Sequence, residues 1–272
     1  MSNRRPELKL RTAAVYASVL ALAALPALAD DPWELDDTDD TQATRSHLLP
    51  GQAQTRDLQG GPSVPDQDWL WIQPLARHSY EARVSGGPLW SVGGGGGFVG
   101  AQMDRVQVTT LTVLTAGVGD EFANLRGQAV RWIAGPSQPD SEYLRLTGPP
   151  SFAQPAVPYV VELHDTTYAI PRWNNSATQS TIFLIHNNRP LPVTGNIDFF
   201  GASGTLVHTV ALSVPANGLQ VLNTGAVPQL AGMSGAARVA HTGGRGALSG
   251  KAVAVEPGSG FTFDTAMTPV QP

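Results

Sequence analysis

Asp68-Trp69-Leu70-Trp71-Ile72, followed after a short proline-containing link by His78-Ser79-Tyr80-Glu81-Ala82-Arg83-Val84, is the stretch on which the fold turns. In an extended chain successive side chains point to opposite faces. In the first segment Trp69 and Trp71 share one face and Leu70 and Ile72 the other, so both faces are apolar. In the second, Tyr80, Ala82 and Val84 point inward and Ser79, Glu81 and Arg83 outward, the alternation of a strand with one buried face. The shortness of the link predicts that the two strands pair as a hairpin.

The same period continues in both directions. Residues 106–114 are rich in Val, Thr and Leu and read as one strand, with further strands at 129–134, 142–146 and 159–163. Residues 181–186 are almost continuously apolar, as in a strand buried on both faces. Strands at 197–200, 207–214, 219–222, 238–241, 251–255 and 260–264 follow. Pro215-Ala216-Asn217-Gly218 carries the strongest hairpin signal in the chain, because Asn-Gly tolerates positive φ. Thr166-Thr167 falls between the two series, and the second series has the spacing of an immunoglobulin-like sandwich. With 29 glycines, 22 prolines and only 14% charged residues, the composition is that of a turn-rich β protein. The expected class is therefore all-β, with two antiparallel β-sandwich domains at 41–165 and 166–268 and a tail at 269–272.

The first residues give the location. Arg4, Arg5, Lys9 and Arg11 precede an apolar run at 12–28, and Ala27-Leu28-Ala29 has the small-x-small pattern of a signal-peptidase site. The run is shorter than the ~20 residues of a membrane span and is followed by acids rather than a basic stop. Residues 1–29 are thus expected to be a signal peptide, and the protein exported to the periplasm or beyond. No cysteine occurs, which excludes disulfides, zinc–thiolate sites, a cysteine nucleophile and a lipid-modified cysteine. The whole chain carries −5. Residues 1–29 hold four basic groups and Glu7, a net +3, so the remainder is about −8. A chain of that sign with no basic run is a poor partner for nucleic acid or anionic membranes. The acids Asp30, Asp31, Glu34, Asp36, Asp37, Asp39 and Asp40 make residues 30–40 an acidic leader. Its self-repulsion favours a solvated linker over a calcium-binding or adhesive segment.

Three stretches resemble known patterns. Arg4-Arg5-Pro6-Glu7-Leu8-Lys9 is similar to a twin-arginine export signal, with Glu7 where a large apolar residue belongs. Ala43-Thr44, Leu49-Pro50-Gly51, Asp66-Gln67-Asp68-Trp69 and Tyr80 resemble the bacterial pre-peptidase C-terminal domain over residues 36–165. The resemblance implies a jelly-roll-like sandwich that flanks secreted peptidases, some members being linked to binding of protein or polysaccharide. The glycine run 93–97 departs from that family's usual length. Tyr168-Ala169-Ile170-Pro171-Arg172-Trp173-Asn174-Asn175, Gly250-Lys251-Ala252-Val253 and Gly260-Phe261-Thr262-Phe263-Asp264 resemble a sandwich domain found beside such modules, which implies fold and location only.

No catalytic motif stands out. Gly201-Ala202-Ser203-Gly204 and Gly232-Met233-Ser234-Gly235 lack the closing glycine and the strand-to-helix setting of a serine elbow. The six histidines are scattered singly, with no His-Glu-x-x-His. His186 and His208 sit among apolar neighbours and read as core or edge residues. The glycines 93–97 lead into Phe98-Val99 rather than a helix, so they read as a surface loop and not a phosphate cradle. Asp66 and Asp68 are the calcium candidates, since spaced carboxylates in a loop offer hard oxygen ligands; no other cofactor is expected. Trp173 beside Arg172 is the candidate ligand platform, against the alternative that it closes one end of the sandwich. The expected function is that of an exported, non-catalytic binding or adhesion-type accessory protein, its partner a protein or polysaccharide. The alternative is an accessory or inhibitory partner of a separately encoded secreted peptidase.

Overall fold

The computed structural model describes residues 41–44, 46–58, 67–86, 90–91, 98–99, 101–119, 127–137, 141–148, 157–176 and 178–271. The expected signal peptide, the acidic leader and the glycine run 93–97 lie outside them. The described chain is all-β and antiparallel throughout its strand pairs, with only two short 3-10 turns at Thr224–Ala226 and Pro228–Leu230.

The N-terminal half contains β1 (Ala53–Leu58), β2 (Gln67–Ile72), β3 (Ser79–Gly86), β4 (Trp90–Ser91), β5 (Phe98–Val99) and β6 (Gln102–Gln107). After them come β7 (Val113–Ala116), β8 (Val118–Gly119), β9 (Gly127–Ile133), β10 (Glu142–Thr147) and β11 (Val157–Asp165). One sheet runs β1-β11-β3-β9-β8 and the other β2-β10-β6-β7. Between them lies a core that includes Leu70, Ile72, Leu144 and Leu146 from one side and Tyr80, Ala82, Val84, Trp132 and Val161 from the other. The period-2 reading of the opening stretch therefore holds, but the hairpin does not. β2 pairs with β10, whereas β3 pairs with β11 and β9, so the link crosses from one sheet to the other. Residues 106–114 are likewise not one strand. Leu111 takes a φ of 54° and the chain reverses, so β6 and β7 form a hairpin.

The C-terminal half contains β12 (Tyr168–Asn175), β13 (Ser180–Asn187), β14 (Val193–Gly201), β15 (Leu206–Val214) and β16 (Leu219–Asn223). It continues with β17 (Met233–His241), β18 (Leu248–Glu256), β19 (Phe261–Ala266) and β20 (Thr268–Pro269), nine strands where about seven were expected. β15-β14-β17-β12 form one layer, and β13, flanked by β16 and β18-β19, the other. The layers are joined through β12 and β13 at a single pair, Asn175 with Ser180. Pro215-Ala216-Asn217-Gly218 has the expected local geometry, with Asn217 at φ 50°, but again the connection differs. β15 pairs with β14 and β16 with β13, so the turn carries the chain between layers. β13 alternates buried residues with half-buried or exposed ones, because only one of its faces meets the opposite layer. Ile182 and Leu184 share the other face with Val221 and Val253.

Residues 269–271, expected to be a tail, are tied to the fold, and the last of them reaches the N-terminal half. Pro269 pairs with Tyr168, Val270 N–H donates to Thr167 O at 2.8 Å, and Gln271 Nε2 donates to Pro50 O at 2.6 Å. Gly51, at φ +84°, leaves room there: a Cβ would lie 2.8 Å from Gln271 Nε2.

Candidate functional site

β12 is built around a bulge. Its pairing with β17 shifts between Ile170 and Trp173, so both residues face inward despite their odd spacing. Trp173 is 0% exposed. Its indole meets Phe199 edge-on at 5.3 Å, and Nε1–H points at Ala236 O at 2.9 Å and Phe200 O at 3.3 Å. A buried indole that finds acceptors contributes both area and a satisfied polar atom. The ring has no face left for a sugar or peptide, so Trp173 is not the platform expected; it closes the core.

The same bulge turns Pro171 and Arg172 to solvent. Arg172 opens onto a groove of about 540 Å³, whose wall and floor come from the ends of β12, β14 and β17, among them Gly201, Ser234 and Gly235. Gly235 is required by contact: a Cβ there would sit 1.9 Å from Phe200 O. Asn174 is spent on its own loop, donating to Gln179 Oε1 at 2.6 Å and accepting from Ser176 N at 3.0 Å. Among the described residues, no hydrogen bond or ion pair occupies the Arg172 guanidinium or the Ser234 hydroxyl. A planar five-donor fork over a floor of small residues can take a carboxylate, sulfate or phosphate bidentately.

Asp66 lies outside the described residues. Asp68 is in β2 with its carboxylate in the core, where it accepts the Tyr159 hydroxyl from the opposite sheet. That carboxylate belongs to cross-sheet packing rather than to a loop. His208 lies half-buried on β15, and His186 is exposed, its Nδ1 2.8 Å from Asn188 Oδ1.

Sequence reasoning missed the seam between the halves. Ser79 and Glu81, which read as a solvent face, are both buried. Thr166 N–H donates to Ser79 O at 2.8 Å, Thr166 Oγ1 to Ser79 Oγ at 2.9 Å, and Ser79 N–H to Thr167 Oγ1 at 2.8 Å. Glu81 accepts Arg131 Nε through one oxygen and Arg245 N–H, from the C-terminal half, through the other, both at 2.8 Å. His78 Nδ1 lies 2.6 Å from Asp165 Oδ2. Burial alone would raise the Asp165 pKa, but the hydrogen bonds from His78 and Thr167 outweigh it and hold the carboxyl below its usual value. His241 Nε2 lies 2.9 Å from Thr166 O and therefore carries the proton, a carbonyl being only an acceptor. Burial pushes the His241 pKa down to about 4. His78, Ser79 and Asp165 invite comparison with a catalytic triad, but Ser79 is the strand neighbour of His78, 0% exposed and held by Thr166. As placed, the trio joins two sandwiches.

Among the described residues no helix is long and apolar enough to cross a membrane. No family model matches the chain, and no curated protein compared with it matches. Among solved structures, the full extracellular region of zebrafish Gpr126/Adgrg6 aligns with 10% identity and a TM-score of 0.26. The alignment covers 80% of this chain and 30% of that one, too distant a likeness to assign a fold or a role.

Proposed function

We propose that this protein is an exported, non-catalytic binding module whose C-terminal sandwich takes a carboxylate-bearing group of a protein or polysaccharide in the Arg172 groove. The observation that carries the reading is the guanidinium itself: exposed, unpaired within the described fold, and set over small residues that let a ligand approach the backbone. The basic, apolar and small-x-small order of residues 1–29 supports export. The resemblance of residues 36–165 to the pre-peptidase C-terminal domain supports an accessory rather than a chemical role. The net charge of about −8 fits a site that grips one anionic group by geometry rather than a long polyanion by field.

The test is binding of the processed protein to arrays of uronic-acid glycans and acidic peptides, repeated with Arg172→Ala and Ser234→Ala. Loss of one charge-assisted hydrogen-bonding group is expected to weaken a true ligand roughly tenfold or more for Arg172→Ala, and less for Ser234→Ala. A ligand that binds the Arg172→Ala variant as tightly as the parent, or arrays on which nothing binds, would overturn the reading.

A further inference from the structure

A second cleft lies in the seam, away from the Arg172 groove. It has a volume of about 230 Å³ and is lined by Arg77, Ile133, Ala134 and Pro136 from the N-terminal sandwich and by Asn196 and Asp198 from the C-terminal one. Its polar groups retain unused hydrogen-bonding capacity. The Asp198 side chain is only 4% exposed, and both of its contacts, Arg77 Nη1 at 3.4 Å and Thr209 Oγ1 at 2.5 Å, fall on Oδ1. Among the described residues no donor reaches Oδ2. Asn196 makes no side-chain hydrogen bond within the described fold. Arg77 is 31% exposed and makes only the one long contact, leaving its remaining N–H groups unspent. It also stands at a φ of 62°, a costly conformation for a non-glycine residue, fixed by N–H bonding to Ala134 O and Gly135 O. Arg238, the cross-strand neighbour of Asp198, turns away to the Phe200 ring, 5.2 Å from its centroid, and does not line the cleft.

We propose that this cleft binds a single neutral sugar ring, clamped between the two sandwiches by Arg77, Asn196 and Asp198. The chemistry selects the class. The lining charges, one positive and one negative, cancel, so a ligand of either sign meets a like charge at close range. A hydroxyl both donates and accepts, and so serves the acceptor-only Asp198, the donor-only Arg77 and the mixed amide of Asn196 together. Ile133, Ala134 and Pro136 offer an apolar wall for the C–H face of a ring. The volume lies below the ~300 Å³ at which drug-sized pockets begin, which fits one ring and not a chain. Because the lining comes from both halves, an occupant is linked to their docking and raises the stability of the joined pair.

The experiment is a thermal-shift and calorimetric titration of the processed protein with D-glucose, D-galactose, D-mannose and N-acetylglucosamine, with glycine and glutamate as controls, up to about 50 mM, a range that detects millimolar affinity. At least one sugar is expected to raise the melting temperature with concentration, and the amino acids to have no effect. Asn196→Ala should weaken that sugar roughly tenfold while leaving the unliganded melting temperature unchanged, since the amide makes no internal bond. Arg77→Ala should weaken it as much or more. Arg172→Ala should leave it unchanged, which separates this site from the groove above. Failure of every sugar to bind, binding of the amino acids instead, or sugar affinity lost in Arg172→Ala but kept in Asn196→Ala would each overturn the proposal.

Discussion

The two sandwiches fill their interiors by opposite means. The N-terminal one admits charge. Arg105 grips Glu142 through Nε and Nη2, each 2.7 Å from a carboxylate oxygen, while its guanidinium lies 5.1 Å from the centroid of Trp132 in the facing sheet. Asp68 accepts from Tyr159 across the same interior. The C-terminal core is apolar and aromatic, with Trp173, Phe183 and Phe199 meeting edge to face. Asn187, a buried amide of that half, sits at a strand end, where its Nδ2 donates to Leu191 O and Pro215 O. A core of the first kind fails when one charge is orphaned; one of the second kind fails when a void opens.

The largest effect is expected in the apolar core. Trp173→Ala should cost about 3–5 kcal/mol, read from denaturant unfolding, because it removes the largest buried ring along with its hydrogen bond. If the seam couples the halves, the unfolding transition shifts as a whole. Two separated transitions, only one of them moved, would show the sandwiches to be independent. In the charged core, Glu142→Ala should cost about 3 kcal/mol, the lower end for a broken buried pair because Arg105 keeps some exposure. The double replacement Arg105→Met with Glu142→Leu should return to within about 1 kcal/mol of the parent. A double variant as unstable as the single one would erase the contrast between the cores.

The last effect, no larger than that of Glu142→Ala, belongs to the seam and is read through pH. His241 is held neutral in the fold at a pKa of about 4 but titrates near 6.5 when unfolded, so the unfolded chain binds the extra proton between those values. The contribution is complete above pH 6.5 and is lost as pH falls toward 4, by up to about 3 kcal/mol. Asp165, with a depressed pKa, acts in the same direction at still lower pH. His241→Gln, which keeps a donor for Thr166 O, should flatten the fall in melting temperature between pH 6.5 and 4. An unchanged slope would remove His241 from the account.

Much of this was legible because alternation is a local property. The strands around Trp69, Tyr80, Glu142 and Val161 follow from neighbours two residues apart. Connections were less legible. Asn217 takes the positive φ its sequence favours, yet nothing near it says which sheet receives the next strand. The seam was invisible for a related reason: Ser79 and Glu81 are as polar under a second sandwich as they would be under water. At Trp173 the polar neighbours suggested exposure, whereas in a strand they face the other way. The bulge that brings Ile170 and Trp173 to the same side leaves no mark that a period of two can detect.

The contact of Gln271 with Pro50 makes the described chain a closed ring in space, since the seam already joins the halves through Thr166 and Thr167. A mechanical load entering near Pro50 and leaving near Gln271 would meet that clasp first, in shear, before it reached either sheet. Tandem sandwiches strung on linkers extend one after another like beads. Here the two would bear tension together until the clasp parts.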